Sequence, residues 1–591
     1  MRLVAAFAAP AAFLLLLEGV LTLCAVGYPT SFFVKSERRG FLTTNAHFGW
    51  HYQQETLAEP QPCLIPVEKP RDGIRVFVLG ESAAMGTPDP SFGFARILEI
   101  MLRRCFPDRP IEVVNAAMRG INSHVITRIS RECAGLNPDA VVVYVGNNEF
   151  NGLYGPKTSL SFLGRHPALI PGFHFAKQTH TGQLLRRLLG ANPEARQDRR
   201  PKRDRGYFED HRTAFDDPER DWVYRNFRVN LERICRYGLD AGAGVVVSTV
   251  GVNLRDCPPL GSLHRRDLTV PRREQWDRLY QEGVGFETQG DVEQAVCCYR
   301  KAMEIDDHYA ELHFRMARCR LATGDLDGAR CAFALARDWD ALQFRADRRI
   351  NEIVREVAGG VSRLVEVDRS LAESEACHDG IPGREFFYEH VHLRFLGDYH
   401  VARAILPAIL DCLRQRGTTQ DGSVEVPTSE QCARDLAFTS WDEVNTAAAM
   451  VKLTANPPFN GQLDHAQRQA EAEKAVATVM ERVDERFVGE VVLAYRQAIA
   501  ARPDDWVLQY NLGTFLHQLG RPQEAVPCFG QVVRMVPDFA PYHVLLGHAL
   551  GQAGLIDQAV RQFHEALKRD ARCKPAREGL IWADARKKLG H

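Results

Sequence analysis

The apolar positions of this chain change rhythm several times, and each change predicts a different element. Residues Leu3 to Val26 are apolar almost throughout, broken by Pro10 and Glu18, with Arg2 in front. A helix of that length reaches across a bilayer. The run is longer than the core of a cleavable signal. No small-x-small site follows it, and the bulky Leu23 before Cys24 spoils a lipoprotein signal. An uncleaved membrane anchor over residues 1–27 is therefore favoured over a cleaved signal. Arg2 places the N-terminus on the cytoplasmic side, although Lys35, Arg38 and Arg39 weaken the asymmetry. The expected location is a single pass through the cytoplasmic (inner) membrane, with the globular part on the outer, periplasmic side. Glu18 is costly in a span; it is protonated, paired with a partner helix, or simply tolerated.

Residues 28–72 have no clear period and read as a juxtamembrane segment. Strands and helices then alternate. Ile74–Leu79 is nearly continuous apolar sequence, as expected of a strand buried on both faces. Further strands are expected at Ile111–Val114, Ala140–Val145, Gly244–Val250 and Val361–Val367. Helices are expected at Phe92–Cys105, His124–Cys133, Trp222–Leu239 and Tyr399–Cys412. Such alternation argues for a parallel sheet covered by helices on both sides. In that architecture ligands sit at the carboxyl ends of the strands. Residues 151–221 are a long excursion whose charged run, Arg196–Arg205, reads as a solvated loop.

A third rhythm lies in 276–343. Gly290, Ala295, Tyr299 and Ala302 recur 34 positions later as Gly324, Ala329, Phe333 and Ala336. Near the C-terminus Gly513, Gly520, Ala525 and Phe529 recur as Gly547, Gly554, Ala559 and Phe563. Small residues let paired helices approach, an aromatic fills the space between them, and Gly or Pro ends each unit. The pattern resembles tetratricopeptide repeats, whose period is 34. That resemblance implies all-α helical repeats that bind a protein or peptide partner. Residues 417–478 read as a polar, mostly helical connector.

Length and composition narrow the function. The 591 residues exceed one core, so two to four domains are expected. A net charge of −1 gives no support for nucleic-acid binding. None of the 15 cysteines has zinc-ligand spacing, which leaves no metal site in the sequence. Cys133 and Cys257 near the sheet rim form either a bridge or two buried thiols.

The chemistry gathers at the strand ends. The first strand runs into Gly80-Glu81-Ser82, a turn into what reads as a helix, and Ser82 is the candidate nucleophile. A serine needs a base, and its attack creates an oxyanion that needs donors. Gly120 after the second strand offers an unobstructed N–H, and Asn148 after the third offers an amide. After the last strand, Glu389-His390-Val391-His392 offers His392 as base and Glu389 as its orienting acid. His390 is a rival base with Phe387, not an acid, three residues before it. Asn253 and Arg255, with Asp256, follow the fourth strand and are possible pocket lining; Arg345, Asp347 and Asn351 precede the last. For both sets an Arg–Asp structural pair is the preferred reading.

These blocks, Gly-x-Ser, Gly, Gly-x-Asn and acid-x-x-His, resemble in order and placement those of the SGNH (GDSL-like) hydrolases. The resemblance covers about 73–150 and 240–410. It implies a three-layer α/β/α, flavodoxin-like domain with a five-stranded parallel sheet that cleaves or transfers acyl esters, often O-acetyl groups on carbohydrate, without metal or cofactor. It makes Ser82 the nucleophile, with Ser82, Gly120 and Asn148 as oxyanion hole, His392 as base and Glu389 as orienter. The chain departs from the family by carrying Glu81, Glu149 and Glu389 where aspartates are usual. The expected plan is an anchor (1–27), a juxtamembrane segment (28–72), a hydrolase domain in two parts (73–262 and 344–416), an inserted repeat pair (263–343), a connector (417–478) and C-terminal repeats (479–591). The expected function is a membrane-anchored serine esterase. The alternatives are an O-acyltransferase on envelope polysaccharide and an interaction scaffold with an inactive hydrolase domain.

Overall fold

A computed structural model describes residues 2–24, 26–52, 59–188, 204–418 and 425–588. Two sheets form. Strands β1 (Phe33–Lys35), β2 (Phe41–Thr44) and β3 (Leu64–Pro66) make a small antiparallel sheet. Strands β4 (Ile74–Gly80), β5 (Ile111–Asn115), β6 (Ala140–Tyr144), β7 (Gly244–Ser248) and β8 (Arg363–Val365) make a five-stranded parallel sheet in the order β5-β4-β6-β7-β8. The five strands lie where the apolar runs place them. β8 is shorter than expected because only three residues keep register with β7. The small sheet within 28–72 has no counterpart in the sequence pattern, since its strands are three or four residues long.

Central strands β4 and β6 are buried at every position, which is why they read as nearly continuous apolar sequence; the exception, Arg75 of β4, is buried against Glu112. Helices Phe94–Cys105, Ser123–Ala134, Glu219–Asp240, Arg348–Val361 and Phe395–Gln415 share one hydrophobic core with these strands. β4 does not run into a long helix: Ser82–Met85 is a single turn, closed by Gly86 with φ 88°. Gly80 is required at the corner, because a Cβ there would strike the Tyr144 carbonyl oxygen and the Ala84 side chain.

The anchor expectation is overturned. A helix, Arg2–Leu23, does form, but among the described residues no helix is long and apolar enough to cross a membrane. No single pass through 3–26 is shown, and the inner-membrane location with an outer globular part, which rested on it, falls with it. Glu18 has a protein partner. Its carboxylate accepts from the backbone N–H of His180 (2.7 Å) and Thr181 (2.8 Å) and from the Thr181 hydroxyl (2.8 Å), at the start of helix His180–Leu188. A carboxylate there satisfies donors that a helix start leaves unpaired.

Both repeat regions are helical hairpins. Between β7 and β8 stand Val270–Gln289, Val292–Met303, Ala310–Ala322 and Leu326–Asp338. The C-terminal array runs through Glu485–Ala501, Trp506–Gln518, Pro522–Met535, Ala540–Gln552, Ile556–Arg569 and Lys574–Lys588. Tyr299, Phe333, Phe529 and Phe563, the aromatics of the 34-residue pattern, are buried between paired helices. The array sits against the sheet domain beside the segment that follows Ser82. Ser91 donates to Asn511 Oδ1 (3.2 Å), Arg96 pairs with Asp505 (2.5 Å), and Tyr388 shares a hydrogen bond with Thr446 of the connector (2.7 Å). Most of the connector is helical, at Ser429–Leu436, Ser440–Thr454 and His465–Met480. Residues 196–203 of the charged run lie outside the described residues. Cys133 and Cys257 are both buried free thiols, so of the two options for them the bridge is not formed.

A histidine cluster joins the N-terminal segment to the excursion. His51 Nε2 lies 3.2 Å from His174 Nδ1, and His174 Nε2 lies 2.7 Å from the Tyr154 hydroxyl. Burial, then Lys177 nearby, pushes His174 down to about 4 and His51 lower still. A depressed histidine binds fewer protons folded than unfolded. Its contribution to stability is complete above about pH 6.5 and is lost as pH falls toward 4. Replacing both by glutamine should therefore flatten the pH dependence of stability between pH 6.5 and 4.5. The wild-type protein should lose up to about 1.4 kcal/mol more per pH unit for each histidine present. Denaturant midpoints for the two proteins across that range test this; parallel curves would refute it. Buried carboxylates with raised pKa values act in the opposite direction but are common to both proteins.

Candidate active site

Each candidate residue lies at or just beyond the carboxyl end of a strand, or in the loop before the closing helix. Ser82 follows β4, and its Oγ lies 2.9 Å from His392 Nε2. His392 sits in a tight loop: Phe387 bridges Leu393, and the Tyr388 N–H donates to the His392 carbonyl (2.9 Å). Its Nδ1 is 2.6 Å from Glu389 Oε1, and its backbone N–H donates to the same oxygen (2.8 Å). The Nδ1 contact is short but poorly aligned, so this nitrogen has no well-formed hydrogen bond. With Nδ1 carrying the proton toward Glu389, Nε2 is left to accept from Ser82. Burial, and then the Arg119 charge, push His392 down to about 3. The imidazole is therefore neutral at neutral pH, the state a base requires.

Glu389 is shared. Its other oxygen presses on His390 Nδ1, and all three side chains are buried. His390 packs its ring toward Phe344 and Phe459, while the hydrogen bond to Ser82 belongs to His392. Among the described residues Glu389, His390 and His392 are the group whose ligand atoms cluster closely enough to hold a metal ion. His392 of the three already contacts Ser82 and Glu389.

The proposed oxyanion residues are brought near one another indirectly. The Asn148 N–H donates to the Glu81 carboxylate, next to Ser82 (3.2 Å). Asn148 Nδ2 donates to the Ile121 carbonyl (3.0 Å), which places the amide beside Gly120. Gly120 has φ 68°, a backbone conformation that suits glycine. The Asn148 amide thus has a protein partner, and a substrate oxygen would compete with Ile121 for it.

Asn253 and Arg255 are held by other protein groups. Asn253 is buried; its Nδ2 donates to the Glu389 carbonyl (2.7 Å), and its own N–H donates to the His390 carbonyl (2.9 Å). It fixes the loop that carries His392. Arg255 pairs with Asp256 (3.1 Å) and with Glu385, the structural pairing preferred over pocket lining. Arg345 pairs with Asp340 (3.3 Å), while Asp347 takes Arg220 (2.7 Å) and caps the N–H of Ile350 (2.9 Å). Asn351 holds both the N–H and the carbonyl of Val250. Sequence reasoning missed the role of Glu81 and Glu149. Burial raises both carboxyls, Glu149 to about 7, and Glu149 raises Glu81 further. Their signal in the sequence was position alone, each directly beside a candidate residue.

Family models for tetratricopeptide repeats match residues 288–347 and 492–538. The chain therefore carries tetratricopeptide repeats, an interaction architecture. Similar solved structures include MamA from Desulfovibrio magneticus RS-1, at 16% identity over 24% of this chain and 77% of that one, TM-score 0.17. A thermophilic tetratricopeptide protein of Thermus thermophilus, TTC0263, is 11% identical over 52% of this chain and 98% of that one, TM-score 0.16. The TPR2AB domain of yeast Sti1, solved in complex with an Hsp90 peptide, is 13% identical over 53% of this chain and 99% of that one, TM-score 0.15. Such TM-scores do not speak for the overall architecture. Comparison with curated proteins returns no match.

Proposed function

We propose that this chain is a serine esterase of the SGNH type that cleaves acyl esters, O-acetyl esters of carbohydrate foremost, through an acyl-serine intermediate. The observation that carries the reading is the relay from Ser82 Oγ to His392 Nε2 at 2.9 Å and from His392 Nδ1 to Glu389 at 2.6 Å. In this reading Ser82 Oγ attacks the acyl carbon and its proton passes to Nε2. Glu389 stabilises the imidazolium that burial would otherwise disfavour. The imidazolium then protonates the departing alcohol, and water repeats the cycle on the acyl-serine. The Ser82 N–H, Gly120 and Asn148 receive the oxyanion. Transfer to a sugar hydroxyl instead of water would use the same intermediate.

A second reading is favoured by the family matches over 288–347 and 492–538: an interaction scaffold whose repeats bind a protein or peptide. The two readings are compatible if the repeats position the enzyme. They part on whether Ser82 is activated. Incubation with a serine-directed fluorophosphonate followed by peptide mapping decides. Covalent adduct on Ser82, with none on a heat-denatured control, is the expected result. No adduct on the native chain would leave the scaffold reading alone.

A further inference from the structure

Glu81 and Glu149 stand where the serine relay does not use them, yet both are almost completely buried, at 2% and 3% exposure. We infer that they are positioning residues that staple the three oxyanion-bearing loops into one unit. This inference rests on the esterase reading above.

Glu81 directly precedes Ser82. Its carboxylate accepts three successive backbone N–H groups of the loop after β6: Gly146 (3.4 Å), Asn147 (2.8 Å) and Asn148 (3.2 Å to each oxygen). Successive N–H groups turned toward one point form an anion-binding concavity. Here the protein fills the concavity itself, with the carboxyl group of the residue beside its own nucleophile. Glu149 continues the chain of contacts. It accepts from the Ser123 N–H (2.9 Å) and hydroxyl (2.7 Å), at the end of the loop that carries Gly120. Asn230 braces the same hydroxyl (3.0 Å). The Asn148 amide closes the loop set by donating to Ile121.

The three loops come from separate strands, and each oxyanion donor belongs to one of them. The two carboxylates add to the direct contacts between these loops, among them the Met118 N–H donating to the Gly80 carbonyl (3.3 Å) and the Asn148 amide donating to Ile121 (3.0 Å). Donor placement matters because an oxyanion hole works only when its donors are fixed before charge develops. The longer reach of glutamate lets Glu81 span three N–H groups. This gives a physical role to two of the three sites where the chain carries glutamate instead of the usual aspartate.

Glutamine at position 81 keeps the shape but replaces one acceptor oxygen by a donor facing the same N–H groups. Glu81→Gln should lower kcat for a small acetate ester about 10- to 100-fold with KM unchanged, as loss of oxyanion alignment requires. Glu81→Asp should recover part of the loss, because both oxygens remain acceptors. Ser123→Ala, a milder change at the Glu149 end, should lower kcat less and in the same way. Hydrogen exchange at Gly146–Asn148 should accelerate in Glu81→Gln and stay at the wild-type level in Ser82→Ala. Unchanged kcat in Glu81→Gln, with turnover still dependent on Ser82, would overturn the inference and leave the esterase reading intact. Fast exchange at those amides in a chain whose Ser82 neither turns over ester nor takes the fluorophosphonate would overturn both, making the staple structural only.

Discussion

In the esterase reading, Ser82→Ala should reduce hydrolysis of a small chromogenic acetate ester by about 10⁴-fold or more, to the background left by binding and oxyanion donors alone. The size follows from the geometry. Oγ is the atom in hydrogen-bond contact with the base, and no second hydroxyl is bonded to His392 among the described residues. Water cannot replace a covalent nucleophile without losing the acyl-enzyme step. The variant should fold normally, because Ser82 opens a single helical turn whose cap geometry rests on Glu81 and Gly86, and the lost hydroxyl is only partly buried. Initial rates for wild type and variant, measured on protein with matched melting curves, test the point. Equal rates would remove Ser82 from the chemistry.

The second large effect separates two neighbouring histidines. His392→Ala should cost about as much as Ser82→Ala, since nucleophile and base act as a unit whose losses do not add. His390→Ala should keep most activity, because His390 meets Glu389 and two phenylalanine rings but not Ser82. Glu389→Ala should fall between them. An orienting acid is typically worth less than the base it holds, by roughly one to two orders of magnitude, and here its contact with Nδ1 is short but poorly aligned. A chain inactivated by His390→Ala and spared by His392→Ala would reverse the assignment. The Glu389 backbone is held through Asn253, so Asn253→Ala is unsuitable as a neutral control in this series.

The parallel sheet was legible because its strands are buried on both faces. Burial on both sides leaves little but apolar residues, as in Ala140–Tyr144. The repeats were legible for the opposite reason: their information lies in spacing, with Tyr299 and Phe333, or Phe529 and Phe563, falling at one fixed step. The small sheet of Phe33–Lys35, Phe41–Thr44 and Leu64–Pro66 left no mark, since three residues are too few to show a period of two. The N-terminal run misled because its apolar count said membrane while its one carboxylate said otherwise. Glu18 finds its partners 162 and 163 positions away, a distance no local pattern reports. At the site, order along the chain brought Ser82, Glu389 and His392 to attention. Whether they meet depended on the fold. The roles of Asn253, Glu81 and Glu149 were hidden because they act on backbone groups, which have no sequence signature.

The inserted repeats have a consequence in time. Ser82 and His392 stand 310 positions apart, and a helical insertion fills part of the gap. At about 5–20 residues per second of synthesis, roughly 15 to 60 s pass between the emergence of the two. The hairpins between them fold from local contacts and need not wait, whereas the edge strand and the loop with His392 follow them. In the esterase reading, a growing chain therefore carries its serine unarmed through about half of its synthesis, and the base arrives while the C-terminal repeats are still to be made.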